Sequence, residues 1–310
     1  MEDNKTIERC KDRIVRGLLC EGSINMTAVS GRELVEAARQ AHGLSHVCTA
    51  ALGRLLMQTA MMSVQLKTAT DNLTVIFDGS GAAGRFVAVG HEGGKVKGYV
   101  DSPSVELPLK PNGKLDVSGA VGTEGEMRVI RDLSLKEPYV GRCAITDGEI
   151  ANDFANYFVI SEQQPSLVYL GVRVDPVSGE VRAASGIMLQ PLPYCPERDI
   201  AYLEMKAQDI TNLTRLIDEG EDLEGAIIEL IGELHPEFTE RATPEFICDC
   251  SKEKLEAVLI SLGREELSDM IERDGEAELT CRFCNKKYHF TREELEKLLE
   301  NAESTGGADD

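Results

Sequence analysis

The chain reads as an α+β protein: a large mixed α/β domain, then a helical acidic connector, then a small cysteine-bearing end. Three observations predict this. Strand-like segments come in runs rather than alternating one for one with helices, which argues against a doubly wound sheet. A proline cluster, Pro191-Leu-Pro-Tyr-Cys-Pro196, interrupts the chain after the last such run. Four of the nine cysteines lie near the C-terminus, as Cys248-Asp-Cys250 and Cys281-Arg-Phe-Cys284.

The first domain follows in order. Ile14-Val-Arg-Gly-Leu-Leu and Ile24-Asn-Met-Thr-Ala-Val predict two short strands around a turn at Glu21-Gly22-Ser23. Arg32 to His42 has helical composition. Ser45 is placed to cap a longer helix in which Val47, Cys48, Ala51, Leu52, Leu55, Leu56, Met62 and Leu66 recur at helical steps. Cys48 falls on that apolar stripe, the position of a packed core thiol. His46 is its close neighbour in sequence, but i and i+2 do not face each other on a helix.

Gly79-Ser-Gly81-Ala-Ala-Gly84 matches the dinucleotide fingerprint GxGxxG and follows a strand-like Leu73-Thr-Val-Ile-Phe. That fingerprint works only when a helix comes next, because the helix N-terminus holds the pyrophosphate. Here Arg85-Phe-Val-Ala-Val, a glycine-rich turn and Lys95-Val-Lys-Gly-Tyr-Val predict a hairpin instead. Nucleotide binding is therefore not expected. Further strands are expected up to Met127-Arg-Val-Ile, then a helix over residues 149–162. Ser166 to Val174 and Val181 to Leu189 predict a second hairpin, turning at Asp175 to Gly179.

Beyond the prolines, residues 197–218 and 222–234 have amphipathic helical patterns joined at Glu219-Gly220-Glu221. Residues 196–243 hold 13 acidic and 4 basic side chains, so this segment repels itself and is expected to dock only marginally. The remainder predicts a helix capped by Ser251, another around Glu265 to Ile271, and a strand over Ala277 to Thr280. A final helix opens with the capping box Thr291-Arg-Glu-Glu294, with Phe290 and Leu295 as its hydrophobic staple. That helix is expected to end near Asn301, leaving an acidic, disordered tail. Asn285, after Cys284, suits a left-handed turn. The expected divisions are 1–190, 191–243, 244–301 and 302–310.

Charge narrows the function classes. The net charge of −21 divides into −3 over residues 1–190 and −18 over 191–310. Such a chain repels phosphate backbones, and nucleic acid is not an expected partner. No run approaches the ~18 apolar residues of a membrane span. Met1 to Arg13 is mostly charged and does not read as a signal peptide. With nine cysteines, an odd number including a metal-like cluster, the expectation is a reducing cytoplasm.

Two thiol pairs about thirty residues apart in the chain meet around one ion if the intervening segment folds back. Four thiolates from Cys248, Cys250, Cys281 and Cys284 form the closed all-sulfur shell of a structural zinc site. His289 could compete, but the shell is already full. The CxC half is unusual, because i and i+2 on a strand point to opposite faces and a kink is needed. If joined to each other, Cys248 and Cys250 would close a very small ring, the strained and readily reduced kind. A domain this small holds too little core to be secure alone, whereas structural zinc supplies on the order of 10–16 kcal/mol. An oxidant that converts the thiolates to disulfides removes the ligands, so metal loss and unfolding become one event. Cys281-Arg-Phe-Cys284 could also be a thiol–disulfide oxidoreductase motif, but that chemistry needs CxxC to open a helix, and strand-like Asn285-Lys-Lys-Tyr-His-Phe follows.

These residues resemble those of the 33 kDa chaperonin family, redox-regulated heat-shock holdases of bacteria. The resemblance runs from about Asp12 to about Leu299. It is carried by CDC at 248–250, SLGREEL at 261–267 and CRFCNKKYHFTREEL at 281–295, with GKVKGYV at 94–100, RDLSLKEPYVG at 131–141 and SEQQPS at 161–166. It implies one Zn2+ held by the four thiolates in an inactive, reduced form. It implies that oxidation joins Cys248 to Cys250 and Cys281 to Cys284, releases the metal and unfolds the zinc domain and linker. The protein would then bind unfolding or oxidatively damaged clients without ATP and without catalysis, as a homodimer formed through its first domain. Five additional cysteines, notably Cys195, and the acidic tail depart from the family pattern.

Overall fold

The computed structural model describes residues 11–305. The charged start of the chain up to Cys10, and tail residues 306–310, lie outside the described residues. The chain divides into two compact units, Met1–Ile247 and Cys248–Asp310.

In the first unit, β1 (Arg13–Leu19) and β2 (Ile24–Ser30) flank the expected turn, and α1 (Arg32–His42) and α2 (His46–Ser63) follow. Ser45 caps α2, its Oγ accepting from the Cys48 amide at 3.2 Å. β3 (Asn72–Gly79), β4 (Phe86–His91) and β5 (Lys95–Val100) form a meander. A one-turn helix, α3 (Val117–Val121), then precedes β6 (Gly125–Asp132), β7 (Tyr139–Ala144) and α4 (Ala151–Glu162). The second hairpin is β8 (Leu167–Val174) and β9 (Val181–Pro191).

The connector contains α5 (Glu197–Ile210), α6 (Leu213–Asp218) and α7 (Leu223–Ile231), followed by β10 (Glu237–Ala242) and β11 (Glu245–Phe246). The helix expected over 197–218 is broken at Thr211 and Asn212, whose amides bond only three residues back, to the Gln208 and Asp209 carbonyls at 3.3 and 2.9 Å, with their side chains on the same two carbonyls. Similarly, α2 stops at Ser63, short of Leu66.

One sheet has the order β10-β1-β2-β9-β8 and a second the order β11-β5-β4-β3-β6-β7. All pairs are antiparallel except β11 with β5. Alternation along each strand explains how the first sheet is used. Ile14, Val29, Ala184 and Met188 join the main core, which also holds nearly all of α2 and the inner face of the second sheet. Their neighbours Val15, Ala28, Ile187 and Leu189 face the other way, onto Leu203, Ile210, Leu213, Leu216 and Ile227 of the connector helices.

The acidic connector is therefore packed. Each fully buried Leu or Ile contributes roughly 1.5–3 kcal/mol, more than an exposed repulsion removes. Most of the connector's charges lie outward and partly pair, as Arg241 does with Glu224 at 2.8 Å, while the nearly buried Asp218 carboxylate is held by Arg182 at 2.9 Å and Arg173 at 3.3 Å. Thr214 of α6 is buried against the sheet, with Oγ1 3.0 Å from Tyr169 Oη and 2.8 Å from Ser185 Oγ. Gly171 makes room for it, since a Cβ there would sit 2.1 Å from Thr214 Oγ1.

The GxGxxG segment is a loop from β3 into β4, with no helix after it. Gly81 packs on the end of α3, its amide donating to the Val121 carbonyl at 3.1 Å. A Cβ at Gly81 would lie 2.3 Å from the Ala120 carbonyl oxygen, so loop packing explains this glycine.

The second unit comprises α8 (Lys252–Ser261), α9 (Arg264–Arg273), β12 (Glu276–Thr280), β13 (Lys287–Thr291) and α10 (Arg292–Thr305). The capping box is present: Glu294 Oε2 accepts from the Thr291 amide at 3.0 Å, and Thr291 Oγ1 from the Glu294 amide at 3.4 Å. The last helix runs to Thr305, beyond the expected end near Asn301. Among the described residues no helix is long and apolar enough to cross a membrane.

Candidate metal centre

The second unit has a small core of its own, built on Leu259, Leu267, Ile271, Phe290, Leu295 and Leu298. Cys248, Cys250, Cys281 and Cys284 pack against it. Residues 247–250 form neither strand nor helix, so the strand rule that would send Cys248 and Cys250 to opposite faces does not apply. Ser251 starts α8 directly afterwards, its Oγ accepting from the Lys254 amide at 3.3 Å.

Cys281 and Cys284 bracket the turn between β12 and β13. The amides of Cys284 and Asn285 both donate to the Cys281 carbonyl, at 3.4 and 2.8 Å, and the Cys281 amide donates to the Lys286 carbonyl at 2.9 Å. Asn285 has φ 57°, the left-handed conformation its sequence position predicts. CxxC therefore leads into a strand, not a helix.

All four sulfurs lie within 4.8 Å of one another, and among the described residues they are the one such group of His, Cys, Asp or Glu that could hold a metal ion. Two of the separations run between the motifs: Cys248 Sγ to Cys281 Sγ is 3.6 Å, and Cys250 Sγ to Cys284 Sγ is 3.4 Å. A tetrahedral zinc with Zn–S of about 2.3 Å has sulfur–sulfur edges of about 3.8 Å, so the donor set suits that ion in both size and softness. The pairs that the resemblance implies for disulfides lie within each motif, whereas these two contacts run across.

The sulfurs are not equivalent. Burial pushes the Cys248 thiol well up, and Cys284 moves in the same direction for the same reason. Burial also opposes ionisation of Cys250, but hydrogen bonds from Tyr288 and the neighbouring thiols outweigh it and bring that thiol down to about 7. Tyr288 is the site residue that the sequence reading passed over. Its hydroxyl is 3.2 Å from Cys250 Sγ and donates to the Cys250 carbonyl at 3.0 Å. The signal was the alternation along Lys287 to Thr291, which buries Tyr288 and Phe290 and exposes the residues between. Lys254 pairs with Asp249 between the first two cysteines.

His289 stands apart from the four sulfurs, with Nε2 3.0 Å from Glu276 Oε2. Cys48 is fully buried in the main core, its Sγ 3.5 Å from the Ser102 carbonyl, as a packed thiol should be. Cys143 is also buried, while Cys20 and Cys195 are half-buried.

Known proteins agree with this architecture. The sequence model of the family described as Hsp33 protein matches residues 12–291. The chain is 44% identical over 288 residues to a 33 kDa chaperonin of Alkaliphilus oremlandii, covering 93% of this chain and 96% of that one. It is 41% identical over 289 residues to a 33 kDa chaperonin of Clostridioides difficile, covering 93% and 99%. The crystal structure of a 33 kDa chaperonin from Thermotoga maritima superposes with a TM-score of 0.84 at 37% identity, covering 94% of this chain and 99% of that one. A match spanning both sheets and the four-cysteine motifs at this identity is a family relationship, and the chain belongs to the Hsp33 family of chaperones.

Proposed function

We propose that this protein is a redox-regulated, ATP-independent holdase of the cytoplasm, held inactive by one zinc ion on Cys248, Cys250, Cys281 and Cys284. The observation that carries the reading is the convergence of four sulfurs within 4.8 Å on a unit whose core has few large side chains. Bound there, zinc would join both ends of a small domain, and structural zinc contributes on the order of 10–16 kcal/mol. Oxidation of Cys248 with Cys250 and of Cys281 with Cys284 would remove the donors. Residues 244–301 would then unfold, and the connector over 191–243 would leave the first sheet. The faces this frees on both sides are apolar, and an unfolding client offers surface of the same kind. The residues 1–190 would carry client binding and dimerisation. Nucleic acid and membrane have no part in this reading, since a net charge of −21 repels phosphate backbones and anionic headgroups alike.

Zinc-loaded, reduced protein treated with hydrogen peroxide at heat-shock temperature tests the reading. Zinc release should accompany suppression of a client's aggregation, and reductant should reverse both. Release of zinc without suppression would overturn it. An oxidoreductase role finds no support, because the CxxC turn enters β13 rather than a helix.

A further inference from the structure

Two cysteines outside the four-sulfur centre are brought together by the fold. Cys20 closes the tight turn after β1, with the Ser23 amide donating to its carbonyl at 3.2 Å. Cys195 closes a matching turn after β9, its amide donating to the Leu192 carbonyl at 3.0 Å. The two turns are joined directly, because the Leu192 amide donates to the Ser23 carbonyl at 2.9 Å, one step beyond the pairing of Ile24 with Pro191. A second tie runs from Ser23 Oγ to Asp199 Oδ2, at 3.0 Å, in the first turn of α5. Both cysteines are half-buried and pack against the same apolar cluster, the one that joins the first sheet to the connector helices. Burial, then the Asp199 carboxylate and the Cys195 thiol, push the Cys20 thiol up.

We infer that Cys20 and Cys195 form a second redox couple, separate from the four-cysteine centre, whose disulfide fastens the entrance of the connector to the β1–β2 turn. The oxidant is a peroxide. One thiolate attacks a peroxide oxygen, the O–O bond breaks, and a sulfenic acid and hydroxide result. The other thiolate attacks the sulfenic sulfur, an S–S bond forms and a second hydroxide leaves. The two hydroxides and the two thiol protons make two waters, so the pair gives up two electrons and the peroxide accepts them. The consequence opposes that of the centre. Oxidation there would release the connector, whereas oxidation here ties its entrance to the sheet and restrains the start of α5, whose first turn Ser23 already holds through Asp199.

The inference stands or falls without the holdase reading. Full-length reduced protein is titrated with hydrogen peroxide, free thiols are blocked, and the unreduced digest is analysed by mass spectrometry, with zinc release followed in parallel. A Cys20–Cys195 crosslinked peptide is expected in the wild type. Cys195→Ser and, independently, Cys20→Ala should lose it while releasing zinc as fully as the wild type. After oxidation, proteolysis within residues 197–218 should be several-fold faster in both variants than in the wild type. The wild-type digest decides the matter even if a variant folds poorly. If Cys20 and Cys195 stay alkylatable when the four-centre thiols are consumed, or Cys195 is found crosslinked elsewhere, the couple does not exist.

Discussion

The Tyr288 hydroxyl lies 3.2 Å from Cys250 Sγ and 3.0 Å from the carbonyl oxygen of the same residue, so one phenol serves two atoms of one cysteine. Its proton goes to the carbonyl while its lone pair faces the thiol. It is also placed to turn that proton to the sulfur once Cys250 ionises. Partners behind metal ligands fix their orientation, and losing one typically weakens metal binding about 10–100-fold. Tyr288→Phe keeps the ring in the core and removes only the hydroxyl. Zinc affinity measured against a competing chelator should fall within that range, with the melting temperature of the first unit unchanged.

Metal removal should separate the two units. Chelation of zinc from the reduced protein is expected to abolish amide-exchange protection over residues 252–300, since the unit's small core alone does not offset the loss of the metal. Protection of α2 and the strands around it should persist. Retained protection in α8 to α10 after complete zinc removal would contradict a metal-dependent fold.

Thr214 is the polar pin of the connector. Thr214→Val keeps the shape and leaves the buried Ser185 hydroxyl and the Tyr169 hydroxyl without their shared partner. The cost should be about 1–3 kcal/mol. It should appear as earlier proteolysis of residues 197–234 in urea, while the main core unfolds at its wild-type midpoint. If the connector is what oxidation releases, this variant should also need less peroxide to suppress client aggregation.

Glu36 gives the first unit an acid dependence. Hydrogen bonds from Arg39, and further ones from the Val181 amide and Gln40, hold its carboxyl at about 2 against an ordinary 4.5. The folded protein therefore binds fewer protons than the unfolded one between those values. Its stabilisation is complete above about pH 4.5 and is lost as pH falls toward 2. Urea midpoints at pH 6 and pH 3 should differ less in Glu36→Gln than in the wild type. Equal pH slopes would assign the acid sensitivity to other groups.

Features written in local chemistry were legible in the sequence. Ser45 and Ser251 cap helices because their hydroxyls reach the amides three residues on. Asn285 turns left-handed because its side chain tolerates that conformation. The hairpin after Gly84 was readable because two strand-like runs, Arg85-Phe-Val-Ala-Val and Lys95-Val-Lys-Gly-Tyr-Val, flank a glycine-rich turn. β10 was not readable. Glu237-Phe-Thr-Glu-Arg-Ala is an exposed edge strand with no apolar alternation, and its partner β1 lies more than two hundred residues away in the chain. The docking of the connector was hidden for a similar reason. Its acidity is visible in the sequence, but the apolar outer face of β1, β2 and β9 that receives it exists only once the sheet is assembled. Tyr288 fell between the two cases. Its burial follows from alternation, but its bond to Cys250 depends on a turn and a loop meeting in space.

The pairing of β10 with β1 has a kinetic side. The connector begins at Leu192, bonded to Ser23, and ends at a strand on the same sheet, so both of its ends are anchored to one surface. As long as β10 stays paired, helices that lift off form a closed loop rather than a free tail. Closing a flexible loop of this length costs about 3 kcal/mol in chain entropy. Here most of that cost is already met, which gives the detached helices a high effective concentration over the face they left. Recapture should then be fast and independent of protein concentration, and a bound client would have to compete with it continuously.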